Sequence, residues 1–292
     1  MKIIRYFFEF LVVVSLLSFF KIIGLKLASI CGGLIGKVIG PIFRPKSIIQ
    51  KNLNIAFNNN LSANQEKTII ENMWINYGKI LGEYIHLKKF RKSLGNNSYV
   101  KIIGSRYLQE IKESKKPVVF FSGHFSNFEL MAMELDKFNI NLAALYRPLN
   151  NIFLNPLMEY LRIKYICANQ IPKGRSGTRE ILKKFKNGHS IALMVDQSVT
   201  EGEKVLFFNK LASTTTIPAQ IARKFGCKIV PIFFERISQL NFEMTIQAPF
   251  DANKTENYQN DIKSTTHKVN LILEEMIKKN PNQWIWTHNR WK

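Results

Sequence analysis

The sequence predicts an α/β domain with a mostly parallel central sheet and flanking helices, preceded by an N-terminal hydrophobic anchor helix and a helical segment. Three observations favour this class. From residue 100 onward, short apolar runs alternate with segments of helical periodicity. Before them, residues 62–87 carry a stripe of apolar side chains at helical spacing. Near the N-terminus, residues 10–20 are apolar apart from two serines.

The composition limits the classes of function. The 292 residues suffice for one large domain or two small ones, and the apolar fraction of 46% is too low for a polytopic membrane protein. Lys plus Arg (42) minus Asp plus Glu (21) gives a net charge of +21. A charge of this size indicates nucleic acid, an anionic membrane surface or an acidic carrier protein as a partner. A solvated, lysine-rich exterior is the simpler alternative.

The first element is the apolar N-terminal run, which Glu9 and Lys21 bracket. A bilayer span needs roughly 20 apolar residues, so the run is short unless it extends over residues 3–27. No small-x-small cleavage site follows, which disfavours a signal peptide. We therefore expect an uncleaved membrane anchor at residues 1–30, which either spans once or lies in the interface. Basic residues lie on both sides of the run, so they do not fix its orientation.

The second element is a helical, membrane-proximal segment at residues 31–98. Residues 31–41 contain four glycines and Pro41, which predicts a loosely packed connection. Ser62 and Gln65 form a capping box, so a long helix is expected to begin there and run to about Leu87. The apolar stripe of this helix indicates a core surface rather than a cofactor site.

The third element is the α/β core at residues 99–292, whose secondary structure alternates regularly. Asn187 with Gly188 marks the end of one helix, and Pro218 lies in the first turn of another. Strands are predicted at residues 118–121, 142–145, 191–195, 229–234 and 242–246, and helices at residues 126–137, 153–162, 178–186, 216–226 and 262–279.

One strand-to-helix junction carries a candidate catalytic histidine. The strand ends, Gly123 permits a sharp turn, and His124 follows at the carboxyl end of the strand, where α/β sheets build their sites. The positive end of the following helix favours a neutral imidazole, which a general base requires.

Glu129 lies five residues beyond His124, in the first turn of the predicted helix, and can fold back towards the ring. A carboxylate on one ring nitrogen would fix the tautomer and stabilise the imidazolium formed after proton abstraction. The alternative is that Ser126 and Glu129 form a capping box and that Glu129 only begins the helix.

Other reaction classes have no support in the sequence. There is no zinc-protease, P-loop or dinucleotide motif, so we expect no metal and no cofactor. There is no GxSxG elbow either, which favours direct transfer over a covalent enzyme intermediate. The odd number of widely spaced cysteines indicates neither a disulfide framework nor a zinc site (Cys31, Cys167 and Cys227).

Several blocks resemble one family. Residues 123–130, Gly-His-Phe-Ser-Asn-Phe-Glu-Leu, resemble the Gly-His-x-Gly-Asn-Trp-Glu block of bacterial lipid A biosynthesis acyltransferases, the late lauroyl and myristoyl transferases. Ser126 and Phe128 depart from that block, but the histidine and the glutamate are kept. Three further blocks follow in the family's order: Tyr-Arg-Pro from residue 146, Phe-Phe-Asn-x-x-Ala-x-Thr from residue 207, and the tail Gln-Trp-x-Trp-x-His-x-Arg-Trp-Lys from residue 283.

The resemblance implies a substrate pair and a location. The donor is a fatty acyl chain on acyl carrier protein, and the acceptor is a hydroxyl of a lipid A precursor, an acylated glucosamine disaccharide. The protein is expected at the bacterial inner membrane, with its catalytic domain on the cytoplasmic side. Anionic membrane lipids are expected partners, and nucleic acid is not.

The resemblance also implies residue roles. His124 would deprotonate the acceptor hydroxyl, and Glu129 would orient the ring and balance its charge. Arg147 would stabilise the oxyanion or hold an acceptor phosphate through its planar fork, unless it is only a surface ion-pair arginine. Asp196 would polarise Arg147 or bind the acceptor, unless it caps a turn. Arg175 would contact a phosphate or the carrier.

Two alternatives stay open. Within the same class, the protein is a related acyltransferase that acts on another glycolipid or on a phospholipid. Outside it, the protein is a basic, membrane-tethered binding protein without chemistry, although no nucleic-acid-binding motif supports that interpretation.

Overall fold

The computed structural model describes residues 2–200 and 202–292, with the side chain of Arg175 excepted. The helices are α1 (Lys2–Phe43), α2 (Lys46–Ala56), α3 (Ala63–Tyr84), α4 (Leu87–Lys92), α5 (Ser105–Ser114), α6 (Glu129–Lys137), α7 (Leu154–Tyr165), α8 (Arg175–Lys186), α9 (Ile217–Phe225) and α10 (Tyr258–Lys279). The strands are β1 (Val100–Ile103), β2 (Val119–Ser122), β3 (Leu142–Tyr146), β4 (Asn169–Pro172), β5 (Ser190–Met194), β6 (Glu203–Phe207), β7 (Lys210–Thr214), β8 (Ile229–Arg236) and β9 (Phe242–Ile246).

Seven strands form one sheet in the order β1-β9-β8-β2-β5-β3-β4. Every neighbouring pair is parallel except β8 and β9. β2 lies at the centre and is buried along its whole length, as expected for a strand covered on both faces. The predicted α/β fold with a mostly parallel sheet is confirmed. β6 and β7 form a separate antiparallel hairpin, which the sequence did not predict.

Successive side chains of β2 belong to two different cores, because a strand alternates its faces. Phe121 packs in the core formed with α2, α3, α8, α9, α10 and the C-terminal tail. Phe120 packs in the core formed with α4, α5, α6 and α7. The sheet is therefore the middle layer of a three-layer domain.

The predicted elements of the core are confirmed within a few residues, with one difference that affects the site. The helix expected from Ser126 begins at Glu129 instead. Ser126 has a positive φ of 47°, and its backbone N–H donates to the Gln283 carbonyl at 3.0 Å. The Ser126–Glu129 capping box therefore does not form, whereas the one between Ser62 and Gln65 does.

The predicted hydrophobic helix is present as α1, which is long and apolar enough to cross a membrane. Gly24, with φ 79° and ψ 165°, divides it into two halves, residues 2–23 and 25–43. Only glycine adopts this backbone conformation readily. The expected boundary at residue 30 falls inside the second half, and the division into three domains stays a prediction.

The prediction of a loosely packed connection after residue 31 is wrong. The glycines lie where α1 crosses α3, and their lack of side chains lets the two backbones touch. A Cβ on Gly32 would lie 2.3 Å from the carbonyl oxygen of Gly78, and a Cβ on Gly36 would lie 2.2 Å from that of Trp74. Close packing through small residues spaced four apart is typical of helix pairs in membranes.

Candidate active site

His124 lies at the carboxyl edge of the sheet, two residues after the end of β2. Asp196 lies two residues after the end of β5. The two strands are parallel neighbours with Ser122 opposite Met194, so the sheet itself brings the two side chains together. Gly123 lets the chain turn tightly at this point, because any Cβ there would lie only 2.8 Å from the Phe125 ring.

Asp196 holds both the backbone and the ring of His124. One carboxylate oxygen lies 2.7 Å from Nδ1 of the ring, and the other accepts the His124 backbone N–H at 2.7 Å. The Trp284 indole N–H donates to the second oxygen at 2.8 Å. Asp196 is only 2% exposed. Burial raises its pKa, but His124 and these hydrogen bonds outweigh burial, so the pKa lies below its ordinary value.

This geometry leaves one ring nitrogen of His124 for chemistry. A hydrogen bond to a carboxylate requires Nδ1 to carry the proton, so Nε2 has the free lone pair. The Phe128 ring packs edge-on against the imidazole at 4.7 Å between centroids. The His124 side chain keeps 19% of its surface exposed and lines a cavity, so a substrate can reach it.

The expected contact between Glu129 and His124 is not what the structure shows. The Glu129 carboxylate accepts from Arg162 on α7, at 3.1 Å from Nε and 2.5 Å from a terminal nitrogen. Phe128 occupies the flank of the imidazole, and Asp196 occupies Nδ1. Because the helix starts at Glu129 rather than at Ser126, the carboxylate faces α7 and not the ring.

Arg162 is a site residue that the sequence did not single out, since an arginine late in a helix carries no signal by itself. Burial lowers its pKa, but the charge of Glu129 outweighs burial, so the guanidinium stays firmly protonated. It also lies over the Tyr146 ring, 5.3 Å from the centroid. Both members of the pair are about 11% exposed, so the salt bridge is fixed rather than solvated.

The cavity has a volume of about 180 Å³, and its wall combines polar and apolar side chains. Polar groups of His124, Glu129 and Arg162 lie on its wall. Small apolar side chains line the same cavity from α6, β3 and β5 (Ala132, Ala144 and Ala192). Ala144 and Ala192 are register partners in adjacent strands. The cavity therefore suits a molecule with a reactive polar group on a hydrocarbon chain.

The remaining predicted site residues lie in different places. Arg147 follows β3 directly, is exposed, and lines the same cavity as His124. Asp196 does not serve Arg147 in the expected way, since both of its oxygens are engaged by His124 and Trp284. Burial and then the nearby Arg147 lower the pKa of Lys173, another residue of the cavity wall. Arg175 begins α8, and its side chain lies outside the described part of the structure.

Three other groups near the sheet are held neutral. Burial lowers the pKa of His288 to about 4, and its Nε2 accepts the Ser198 backbone N–H at 2.9 Å. Burial raises the pKa of Cys167 to about 11 and that of Cys227 to about 12. Neither thiol forms the thiolate that a nucleophilic cysteine needs near neutral pH.

The chain is similar to several known proteins. The chain is 23% identical over 252 residues to the lipid A biosynthesis lauroyltransferase of Escherichia coli K12, covering 85% of this chain and 79% of that protein. It is 25% identical over 267 residues to the lipid A biosynthesis palmitoleoyltransferase of the same strain, covering 88% and 84%. A crystal structure of the 1-acyl-sn-glycerophosphate acyltransferase PlsC from Thermotoga maritima aligns with 18% identity and a TM-score of 0.40, covering 87% of this chain and 98% of that one.

The family model described as bacterial lipid A biosynthesis acyltransferase matches residues 1–292, the whole chain. The match includes the apolar helix α1, the loop that carries His124 and the aromatic C-terminal tail. The protein belongs to the bacterial lipid A biosynthesis acyltransferase family.

Proposed function

We propose that this acyltransferase moves a fatty acyl chain from acyl carrier protein to a hydroxyl of a lipid A precursor, at the cytoplasmic side of the inner membrane. The observation that carries the proposal is the His124–Asp196 pair at the wall of a cavity that is lined in part by small apolar side chains. A general base is placed beside a compartment that suits hydrocarbon. This combination is what transfer of an acyl chain to a hydroxyl requires.

The proposed reaction is a direct transfer. Nε2 of His124 takes the proton of the acceptor hydroxyl while the hydroxyl oxygen attacks the carbonyl carbon of the donor thioester. Asp196 stabilises the imidazolium that forms. The tetrahedral intermediate then collapses, the carbon–sulfur bond breaks, and the leaving thiolate takes the proton from His124.

We assign Glu129 to catalysis through Arg162 rather than through His124. The pair holds a cation on the cavity wall near the reacting base. A fixed guanidinium can stabilise the oxyanion of the intermediate without reorganising at the moment of reaction. Arg147 lines the same cavity and is exposed, so it suits a phosphate of the acceptor.

The donor chain is proposed to lie along the alanine-lined part of the cavity. The relatives are named a lauroyltransferase and a palmitoleoyltransferase, and a lauroyl or myristoyl chain is proposed for this protein. The net charge of +21 supports attraction of an acidic carrier protein and of anionic lipids, with Arg175 as a candidate carrier contact.

The test is an assay with the purified protein in phospholipid vesicles, supplied with lauroyl- or myristoyl-acyl carrier protein and a lipid A precursor. Mass spectrometry should show a precursor heavier by one acyl residue. His124→Ala should lose nearly all turnover, whereas His267→Ala, which changes a histidine on α10 that is not part of the cavity wall, should keep it. Full activity of His124→Ala would contradict the mechanism. If only a phospholipid or another glycolipid is acylated, that lipid and not the lipid A precursor is the acceptor.

A further inference from the structure

The helix α1 exposes an apolar surface on both of its halves. In the half before Gly24, Val12 is 67% exposed and Ile22 is 84% exposed. In the half after it, Val38 is 73% exposed and Ile42 is 81% exposed. In the most apolar stretch of 18 residues of this helix, only 17% of the residues are buried. An apolar surface of this length requires a cover.

The opposite side of the first half is docked on the α/β domain. Near its start, the Asn151 side chain donates to the carbonyl of Tyr6 at 2.8 Å, and the Phe153 ring packs against two phenylalanines of the helix. Near its end, the carbonyl of Phe20 bonds to the buried ring of His86 at 2.9 Å. The domain therefore follows this half from residue 6 to residue 20.

The second half is docked as firmly, through its glycine contacts with α3. A Cβ on Gly78 would lie 1.9 Å from the carbonyl oxygen of Gly32, and one on Gly82 would lie 2.1 Å from that of Ala28. Since both halves lie against the same domain, each half turns an exposed apolar side to the surroundings while its other side is held by the domain.

These contacts decide between a helix that spans and one that lies in the interface. The docked stretch from Tyr6 to Phe20 is about 21 Å long, most of the roughly 30 Å of bilayer hydrocarbon. If the first half crossed the bilayer, the loop at residues 147–153 would be drawn into the hydrocarbon with it. That loop is irregular, and Leu149, Asn150 and Ile152 in it are exposed. Irregular backbone in contact with lipid does not occur at that depth.

The charges on α1 agree with a shallow position. Arg5 and Glu9 form an exposed ion pair, and Lys21 and Lys26 flank the bend at Gly24 and are also exposed. At the interface these side chains reach the headgroups, and the basic ones meet anionic phospholipid.

We propose that both halves of α1 lie in the plane of the membrane, in the headgroup and acyl boundary of a single leaflet. The partner is the surface of an anionic phospholipid bilayer. The loop after Arg147, which carries exposed Leu149 and Ile152, then rests on the same leaflet and brings the cavity to the lipid surface. Lys2 and Lys292 then stay on one side of the membrane.

Depth and sidedness of labels test this arrangement. A fluorophore is placed at Val12→Cys, Ile22→Cys or Val38→Cys in full-length protein without its native cysteines, in vesicles of phosphatidylethanolamine and phosphatidylglycerol. Quenchers at set depths in the bilayer should report a similar, shallow depth for all three labels. An impermeant maleimide should reach Lys2→Cys and Lys292→Cys from the same side. A label at Val12 near the bilayer centre, or the two ends on opposite sides, would overturn the proposal.

A charge on each half provides a second test. Val12→Glu and Val38→Glu should each weaken sedimentation with these vesicles by about tenfold, because each removes apolar contact with the interface. Leu271→Glu is the matched control, since Leu271 is 45% exposed on α10. Loss of binding with Val12→Glu alone would indicate a spanning first half and overturn the proposal. Neither test measures acyl transfer, so a negative result here leaves the proposed reaction standing.

Discussion

At the scale of single residues, two carboxylates near one histidine have different partners. Asp196 bonds to the His124 ring and Glu129 bonds to Arg162. The first contact can stabilise a positive charge on the imidazole, and the second fixes a positive charge next to it. The two carboxylates should therefore fail in different ways when each is replaced by its amide.

Asp196→Asn should keep the fold of the loop but remove the negative charge that faces the imidazolium. We expect kcat to fall by about 10²- to 10⁴-fold. The double variant Asp196→Asn/His124→Ala should be little worse than His124→Ala alone, because Asp196 acts through the ring. Steady-state rates with a carrier-bound donor would measure both effects. Losses that add fully would contradict the assignment of Asp196.

Glu129→Gln should lower kcat by about 10- to 100-fold, because Arg162 loses the partner that holds it. The double variant Glu129→Gln/Arg162→Gln should be little worse than either single variant, as expected for residues that act as a unit. Steady-state rates of the three variants with a carrier-bound donor would measure this. Fully additive losses would contradict the pairing of Glu129 with Arg162.

The sequence was sufficient to predict the position of His124 but not its partner. A strand, a glycine and a histidine lie together in the chain, so the local pattern fixes the edge of the sheet on which His124 lies. Asp196 lies 72 residues away, and only the parallel pairing of β2 with β5 brings it to Nδ1. Glu129 is close to His124 in the sequence, but the later start of α6 turns its carboxylate away from the His124 ring.

At the scale of elements, the crossing of α1 and α3 depends on glycines that the backbones of the other helix touch. Gly78→Ala should destabilise the protein by about 1–3 kcal/mol, because its Cβ would overlap the carbonyl of Gly32. Gly33→Ala is a matched control at the same crossing, on α1, since its Cβ would meet only side chains, those of Lys79 at 3.2 Å and Ile75 at 3.3 Å. Thermal unfolding in detergent should show a lower midpoint for the first variant only. Equal midpoints would contradict the close crossing.

The glycines of α1 show why an element can be misjudged from sequence. Glycine lowers helix propensity, so a cluster of them predicts a break. Here the gain from packing two backbones together outweighs propensity, and that gain depends on Gly78 and Gly82 of a different helix. The hairpin of β6 and β7 was missed for a related reason, since its burial depends on contacts with α10 and the tail.

The cavity wall between β3 and β5 should influence the length of the donor chain. Ala144→Leu adds three carbons to the alanine-lined wall, where Ala144 lies beside Ala192 of the neighbouring strand. We expect the preferred donor to become shorter by about two or more methylenes, since overpacking a full apolar pocket is unfavourable. Competition between acyl carriers of different chain length would measure this shift. Retained turnover with the shorter donor serves as the control. An unchanged preference for donor length would show that the acyl chain of the donor binds elsewhere.

At the scale of the whole molecule, the C-terminal tail joins parts that are far apart in the chain. Arg290 is fully buried and donates to the Ser213 carbonyl and the Thr214 hydroxyl, both at 2.7 Å. Asn52 of α2 donates to the carbonyls of Trp286 and His288 at 2.8 Å. The tail also supplies the Trp284 indole to Asp196. The active site and the global fold therefore share one set of contacts.

The C-terminal tail contains three of the four tryptophans of the chain. The structure places Trp284, Trp286 and Trp291 in the core, each with at most 3% of its surface exposed. Residue type could not decide this, because tryptophan suits both environments. The decision depends on the groove between α2, α10 and the hairpin, which exists only in the folded chain.

The tail should also make stability depend on pH through His288. Its Nε2 accepts a backbone N–H, and burial lowers its pKa from 6.5 to about 4, so the folded protein favours the neutral ring. In the unfolded chain the ring has its ordinary pKa and binds a proton below about 6.5. The contribution of His288 to the free energy of unfolding is therefore fully present above pH 6.5. It falls as the pH decreases towards 4, where the folded state also takes the proton. Because the ring keeps partial solvent contact, we expect a loss of about 1–2 kcal/mol.

The variant His288→Gln isolates this contribution, because its amide oxygen can accept the same N–H without titrating. Urea unfolding between about pH 7 and about pH 4.5 should show a smaller decrease in the free energy of unfolding for the variant than for the parent. That range avoids Asp196, whose pKa below its ordinary value places its own contribution at lower pH. Since Asp196 loses stabilising charge only on protonation, acidification below this range should destabilise both proteins alike. An equal decrease in parent and variant above about pH 4.5 would show that the tail releases His288 to solvent before the chain unfolds.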